Sequence, residues 1–170
     1  MEHTRTYTWH DAEELMTKGA GLSGLEIMQA VARREIPAPP VGRLIGVAGL
    51  EVEKGRVGVG FEPQEFHYNS LGAVHGGVIA TVLDIVLGSA VQSTLKAGQG
   101  FTTLTMELKY HRAVSVKSGK LKAIAEVVAR GREIVTANAK LVDPSERVFA
   151  TATSTLMIFA LPAGAKAGDT

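Results

Sequence analysis

The chain has 170 residues, 45% of them hydrophobic and 21% charged, which is enough for one globular domain with a real core. It has no cysteine, which excludes disulfides, thiolate nucleophiles and Cys-type zinc sites. A formal net charge of +1 offers no footing for nucleic acid.

Residues 1–10 are polar and lack an apolar leader, so no secretory signal is expected and a cytoplasmic location is the default. Asp11 to Lys18 predicts a short helix, broken by Gly19-Ala20-Gly21. Ser23-Gly24-Leu25-Glu26 reads as a capping box, with Leu22 and Ile27 as its hydrophobic staple. The helix it opens runs to about Arg34, where Pro37, Pro39 and Pro40 stop it and leave an extended crossing. Residues 1–40 hold too few apolar side chains to bury a core alone, so they are expected to form a helical lead-in.

Val41 to Leu50 and Gly55 to Phe61 read as two strands around a hairpin at Glu53-Lys54-Gly55. In the second, Val57, Val59 and Phe61 alternate with Arg56, Gly58 and Gly60, the period of a strand with one buried face. After a loop comes Gly76 to Thr94, nineteen residues in which Asp84 is the only ionisable group. Six of its residues are β-branched Val or Ile, but its length predicts a helix, since strands run about 4–8 residues. Apolar residues all round the wheel mark a buried helix. Interruption by Asp84 and Gly88 argues against a membrane span. Gly77, Ala80, Thr81 and Gly88 form a small stripe with Asp84, suited to close approach by a second chain or a substrate. A carboxylate there is costly unless it is paired or used.

Strands follow to the end. Leu104, Met106, Leu108 and Tyr110 alternate with Thr103, Thr105, Glu107 and Lys109. Gly119 to about Ala129, Ile134 to Val142 and Val148 to Phe159 are the others, with turns at Gly131-Arg132 and Asp143-Pro144-Ser145-Glu146. Short turns imply antiparallel neighbours. The expected fold is α+β: one long central helix wrapped by a curved antiparallel sheet of about six strands over residues 41–160. Residues 161–170, rich in Ala and Gly, are expected to be a flexible tail.

The helix head carries a more specific pattern. Asn69 lies six residues before His75, His75-Gly76-Gly77 opens the helix, and Asp84 lies nine residues after His75. With Gly72, Phe101-Thr102-Thr103-Leu104 and the strand end Tyr110-His111-Arg112, this order resembles the hotdog-fold acyl-CoA thioesterases of the phenylacetic-acid-pathway type. The resemblance spans about residues 35–160. It implies hydrolysis of an acyl-CoA thioester, aromatic or short- to medium-chain, to free acid and coenzyme A. No cofactor is implied beyond the coenzyme A of the substrate, and no metal, nucleic acid or membrane.

The family's site residues carry over by position. A backbone N–H at Gly76, joined by Gly77, would polarise the thioester carbonyl. Helix N-termini offer free N–H groups, and glycine admits close approach. Asp84 matches the family carboxylate that acts as general base or as nucleophile. Asn69 matches the position that orients the water or the carboxylate, Thr103 a hydroxyl position beside the carboxylate, and His75 would hold the loop or bond the thioester region. Arg112 and Arg132 are candidates for the coenzyme A phosphates. Gly88 departs from related enzymes that carry a hydroxyl residue there. Plainer roles stand beside these: Asp84 as a structural acid bonded to Thr81 or a partner chain, His75 as a cap, Asn69 as a turn residue, the arginines as solvated strand ends.

Gly76 and Asp84 are eight residues apart, or ~12 Å along one helix. Donor and base must both come within ~3 Å of the reacting groups. The site is therefore expected to be shared between two subunits, and the family often pairs such dimers into tetramers. The alternatives are a non-catalytic acyl-CoA-binding module and a hotdog hydratase or dehydratase. The latter usually shows an Asp-His arrangement that this helix lacks.

Overall fold

A 17-residue helix lies across a six-stranded sheet in the computed structural model, which describes residues 1–162. In chain order the elements are α1 (Ala12–Gly19), α2 (Gly24–Ala32), α3 (Pro40–Ile45), β1 (Val47–Glu53), β2 (Arg56–Phe61), α4 (Gly76–Gln92), β3 (Gln99–Tyr110), β4 (Leu121–Arg130), β5 (Ile134–Val142) and β6 (Val148–Ala160). The strand order is β1-β2-β4-β5-β6-β3, antiparallel throughout. From residue 163 on, the expected tail falls outside the described residues. Among the described residues, no helix is long and apolar enough to cross a membrane.

The core forms between α4 and the sheet. Ile79, Val82, Leu83, Val86, Leu87, Ala90 and Val91 are at most 3% exposed. Val57, Val59 and Phe61 meet them from β2, as the alternation of that strand predicts. Ala123, Ala125, Ala137, Ala139, Ala150 and Ala152 face them from the central strands. These small side chains bring the helix close to the sheet. Each large aliphatic buried there stabilises the fold by about 1.5–3 kcal/mol.

Ser23 accepts from the Glu26 N–H, and the Glu26 carboxylate accepts from the Ser23 N–H at 2.8 Å, so α2 opens with the expected capping box. Its first residue sits on the far end of α4. The Gly24 N–H donates to the Leu95 carbonyl at 3.0 Å. A Cβ on Gly24 would fall 1.7 Å from the Gln92 carbonyl oxygen, so no side chain fits there.

Two expectations need correction. The strand predicted over Val41 to Leu50 is half helix. Pro40 presets the first helical φ of α3, and Gly46, at φ 82°, closes it in the left-handed region. The strand begins only at Val47.

The alternation read in β3 also breaks. The register against β6 shifts between Thr103 and Thr105, and Leu104 is the extra residue. A bulge of this kind reverses which face follows. Thr103 and Met106 both turn toward α4, while Leu104 is 49% exposed.

Packed on the sheet as expected, α4 keeps one face open in the single chain. Gly77 is exposed, and Ala80, Thr81, Asp84, Ile85 and Ser89 stay partly open, so the small stripe faces outward except at Gly88, which is buried. Beside that stripe runs β3, a twelve-residue edge strand. A long open edge is a template for pairing with another strand.

Candidate active site

The loop before α4 is knitted by its own polar groups. The Asn69 carboxamide oxygen accepts from the N–H groups of Leu71 (2.9 Å) and Ala73 (3.3 Å). The Asn69 N–H donates to the Ala73 carbonyl at 2.7 Å. Gly72, at φ 76°, supplies the left-handed turn. These are the bonds of a turn residue.

His75 is the N-cap of α4. Its Nδ1 accepts from the Gly77 N–H at 2.9 Å, and its carbonyl accepts from Val78 (3.0 Å) and Ile79 (3.4 Å). A ring nitrogen that accepts carries no proton, so the neutral ring has its proton on Nε2. These bonds use the other early donors of the helix. Among the described residues, nothing accepts the Gly76 N–H. The expectation that Gly77 joins Gly76 as a donor therefore meets a competitor in His75.

Sequence reasoning missed Tyr110 as a site residue. Its hydroxyl donates to the Gly76 carbonyl at 2.9 Å. A Cβ on Gly76 would lie 3.2 Å from that hydroxyl and 3.3 Å from the ring. A side chain at 76 would therefore press on the Tyr110 ring, which would have to give by a few tenths of an ångström. Only the strand-end motif Tyr110-His111-Arg112 signalled it in the sequence.

Asp84 projects from the open face of α4. Its Oδ1 accepts the Thr103 hydroxyl at 3.1 Å. The Thr81 hydroxyl goes instead to the Gly77 carbonyl at 2.9 Å, so Thr81 is not its partner. One turn further on, a Cβ at Gly88 would meet the Phe101 ring at 2.9 Å. The Phe101 ring therefore leaves little room for a side chain at 88. Phe101 beside Gly88, Thr103 beside Asp84 and Tyr110 beside Gly76 show β3 running antiparallel along α4.

The two arginines lie apart. Arg112 donates through Nη1 to the Val148 carbonyl, at the start of β6. Arg132 stands in the turn before Ile134, which pairs with Met157 near the end of β6. Its side chain is 94% exposed and beside Glu133 at 3.8 Å. Nine residues of strand separate the two levels, roughly 30 Å. Within one chain they cannot grip the same phosphate group. Among the described residues, no group of three His, Cys, Asp or Glu side chains is placed to hold a metal ion.

Known proteins share this fold. Residues 71–150 match the family described as the thioesterase superfamily. A phenylacetic acid degradation-related protein from Ralstonia eutropha superposes with a TM-score of 0.70 at 27% identity, over 76% of this chain and 98% of that one. A thioesterase family protein from Silicibacter pomeroyi gives 0.69 at 25% identity, over 78% and 98%. A Streptococcus mutans protein bound to acetyl CoA gives 0.61 at 25% identity, over 69% and 91%. No protein with a curated function matches the chain. The fold is the hotdog fold, and the stretch that holds Gly76, Asp84, Thr103 and Tyr110 lies within the residues that match the thioesterase superfamily.

Proposed function

We propose that the protein is an acyl-CoA thioesterase that hydrolyses an aromatic or short- to medium-chain acyl-CoA to the free acid and coenzyme A. The observation that carries this reading is the partly exposed Asp84 carboxylate, held by Thr103 at 3.1 Å on the same open helix face that starts at the unengaged Gly76 N–H. The Gly76 N–H polarises the thioester carbonyl and stabilises the oxyanion that forms on it, aided by the positive end of the helix. The Asp84 carboxylate either takes a proton from the water that attacks the carbonyl carbon, or attacks that carbon itself to form a mixed anhydride that water then hydrolyses. The C–S bond breaks, the thiolate of coenzyme A leaves and is protonated, and the acid is released. Thr103 orients the carboxylate. His75 and Asn69 hold the loop that aims Gly76.

Two subunits share each site in this proposal. Along one helix, donor and carboxylate stand ~12 Å apart, too far for one carbonyl. The open edge of β3 resolves the difficulty. If β3 pairs antiparallel with its copy about a two-fold midway between Thr103 and Tyr110, Thr103 of one chain lies near Tyr110 of the partner subunit. Asp84 then approaches Gly76 of the partner subunit, and symmetry makes two such sites. The arrangement also covers Leu104 and Tyr110, which are 49% and 53% exposed in the single chain. A pairing of two such dimers, in the cytoplasm, completes the reading.

The test is free-thiol release from a panel of aryl-, short- and medium-chain acyl-CoAs. Turnover of at least one class is the expected result and narrows the acyl group. A folded protein that binds acyl-CoA and releases no thiol would make this an acyl-CoA-binding module instead.

A further inference from the structure

One histidine holds the site loop from behind. His67 is 5% exposed. Its Nδ1 accepts the Gln64 N–H at 3.0 Å, and its Nε2 donates to the Ile45 carbonyl at 3.0 Å. Only the neutral ring with its proton on Nε2 makes both bonds. The ring packs against Phe61 at 5.2 Å and edge-on to Phe66 at 4.3 Å, between centroids. Its backbone carbonyl accepts the His75 N–H at 2.8 Å. His67 therefore joins the end of α3, the start of the loop and the N-cap of α4. His75 in turn holds the Gly77 N–H, so the direction of the Gly76 N–H depends on this chain of bonds.

The N-terminal segment closes over the same junction. The Arg5 guanidinium donates to the Leu44 carbonyl at 2.8 Å and the Arg43 carbonyl at 3.2 Å, in the last turn of α3. Its central carbon lies 3.9 Å from the centroid of the Phe66 ring, a cation–π contact, and 5.3 Å from that of Tyr7. Arg5 thus ties together the two elements that His67 connects, and it does so from a segment ~40 residues earlier in the chain.

We propose that His67 is a positioning residue for the oxyanion donor and that the N-terminal segment, through Arg5, is the strap that holds His67 in place. This rests on the thioesterase reading above. Protonation would turn Nδ1 into a donor facing the Gln64 donor, so the clamp opens in acid. Burial holds the His67 pKa below the usual imidazole value, the bond to Ile45 opposes this, and the charge of Arg5 adds to the lowering. Arg5 is the charge that faces the ring. Glu62 and Glu65 on its own loop and Arg43 on α3 are exposed, while α3 and β2 present the Ile45 carbonyl and Phe61. The neutral form is the folded one. Its stabilisation is complete above the unfolded value of about 6.5 and is lost as pH falls from there through the depressed folded value.

The test uses the full chain. kcat and KM are measured across the acid range for the wild type, Arg5→Gln, His67→Ala and His67→Asn, and the backbone amides of Gly76 and Gly77 are followed by NMR over the same range. Loss of alignment at the donor lowers kcat more than it raises KM, by about ten- to a hundredfold in His67→Ala. His67→Asn, which keeps an acceptor near the Nδ1 position and cannot titrate, restores part of kcat and removes the acid step. Arg5→Gln moves that step to higher pH. In the wild type the Gly77 amide shifts with the His67 midpoint. Arg5→Gln with an unmoved acid step and a Gly77 amide indifferent to His67 titration would overturn the proposal. The amide readout needs no turnover. If the wild type releases no thiol while Gly77 still follows His67, the thioesterase reading fails and the clamp stands.

Discussion

Asp84→Asn is expected to slow thiol release by at least about a hundredfold on the best acyl-CoA substrate, the lower end for a lost base. Asparagine keeps the shape of the side chain, and its carboxamide oxygen still accepts the Thr103 hydroxyl, now 3.1 Å from Oδ1. It can neither take a proton from water nor attack a carbonyl. Because Asp84 is partly open to solvent, the change costs little stability, within about 0.5 kcal/mol as for other surface substitutions. The check is kcat/KM and the thermal midpoint measured together. Wild-type turnover in the variant would make Asp84 a structural acid.

Gly76→Pro is expected to cost about a hundred- to a thousandfold in kcat, the effect of removing one oxyanion donor. Proline suits the first helical position, where its missing N–H has no helical partner anyway. The residue before it must be extended, and His75 already is, at φ −59° and ψ 137°. The substitution thus deletes one N–H and leaves the helix intact. A new Cβ at 76 meets the Tyr110 hydroxyl at 3.2 Å, so the half-exposed ring must give slightly. Gly76→Ala carries the same Cβ and keeps the N–H, which makes it the control. Activity kept in Ala and lost in Pro isolates the donor. Equal loss in both would place the effect in packing against Tyr110.

Local patterns carried much of this structure, and contacts between distant segments carried the rest. β5 runs from Ile134 to Val142, as the turns on either side of it predict, and Ser23 and Glu26 cap α2 as their spacing predicts. The long helix follows from its length despite its β-branched residues. α3 was not legible because Val41, Leu44 and Ile45 suit either a strand or a single helical turn, and Pro40 and Gly46 decide between them only together. The face of β3 was misread because a bulge is set by the partner strand β6, which lies far along the chain. In the site, spacing put Gly76 at the helix head and Asp84 about two turns below it. It gave no sign that His75 takes the Gly77 N–H, or that Phe101 covers Gly88. His67 is a lone histidine two residues before Asn69 in the sequence. Its partners Ile45 and Gln64 come to it only when the loop folds over α3.

Mixed dimers probe the shared site most directly. Chains carrying Asp84→Asn and chains carrying Gly76→Pro, each with its own tag, are co-expressed and the species holding both tags is isolated. If each site takes its donor from one subunit and its carboxylate from the other, one of the two sites in the mixed dimer is intact and the other doubly defective. The expected activity is then about half that of the wild-type dimer, far above either parent, as two-fold symmetry dictates. Activity no greater than that of the two defective parents would mean that each chain supplies both groups to its own site, and the shared-site mechanism would be wrong.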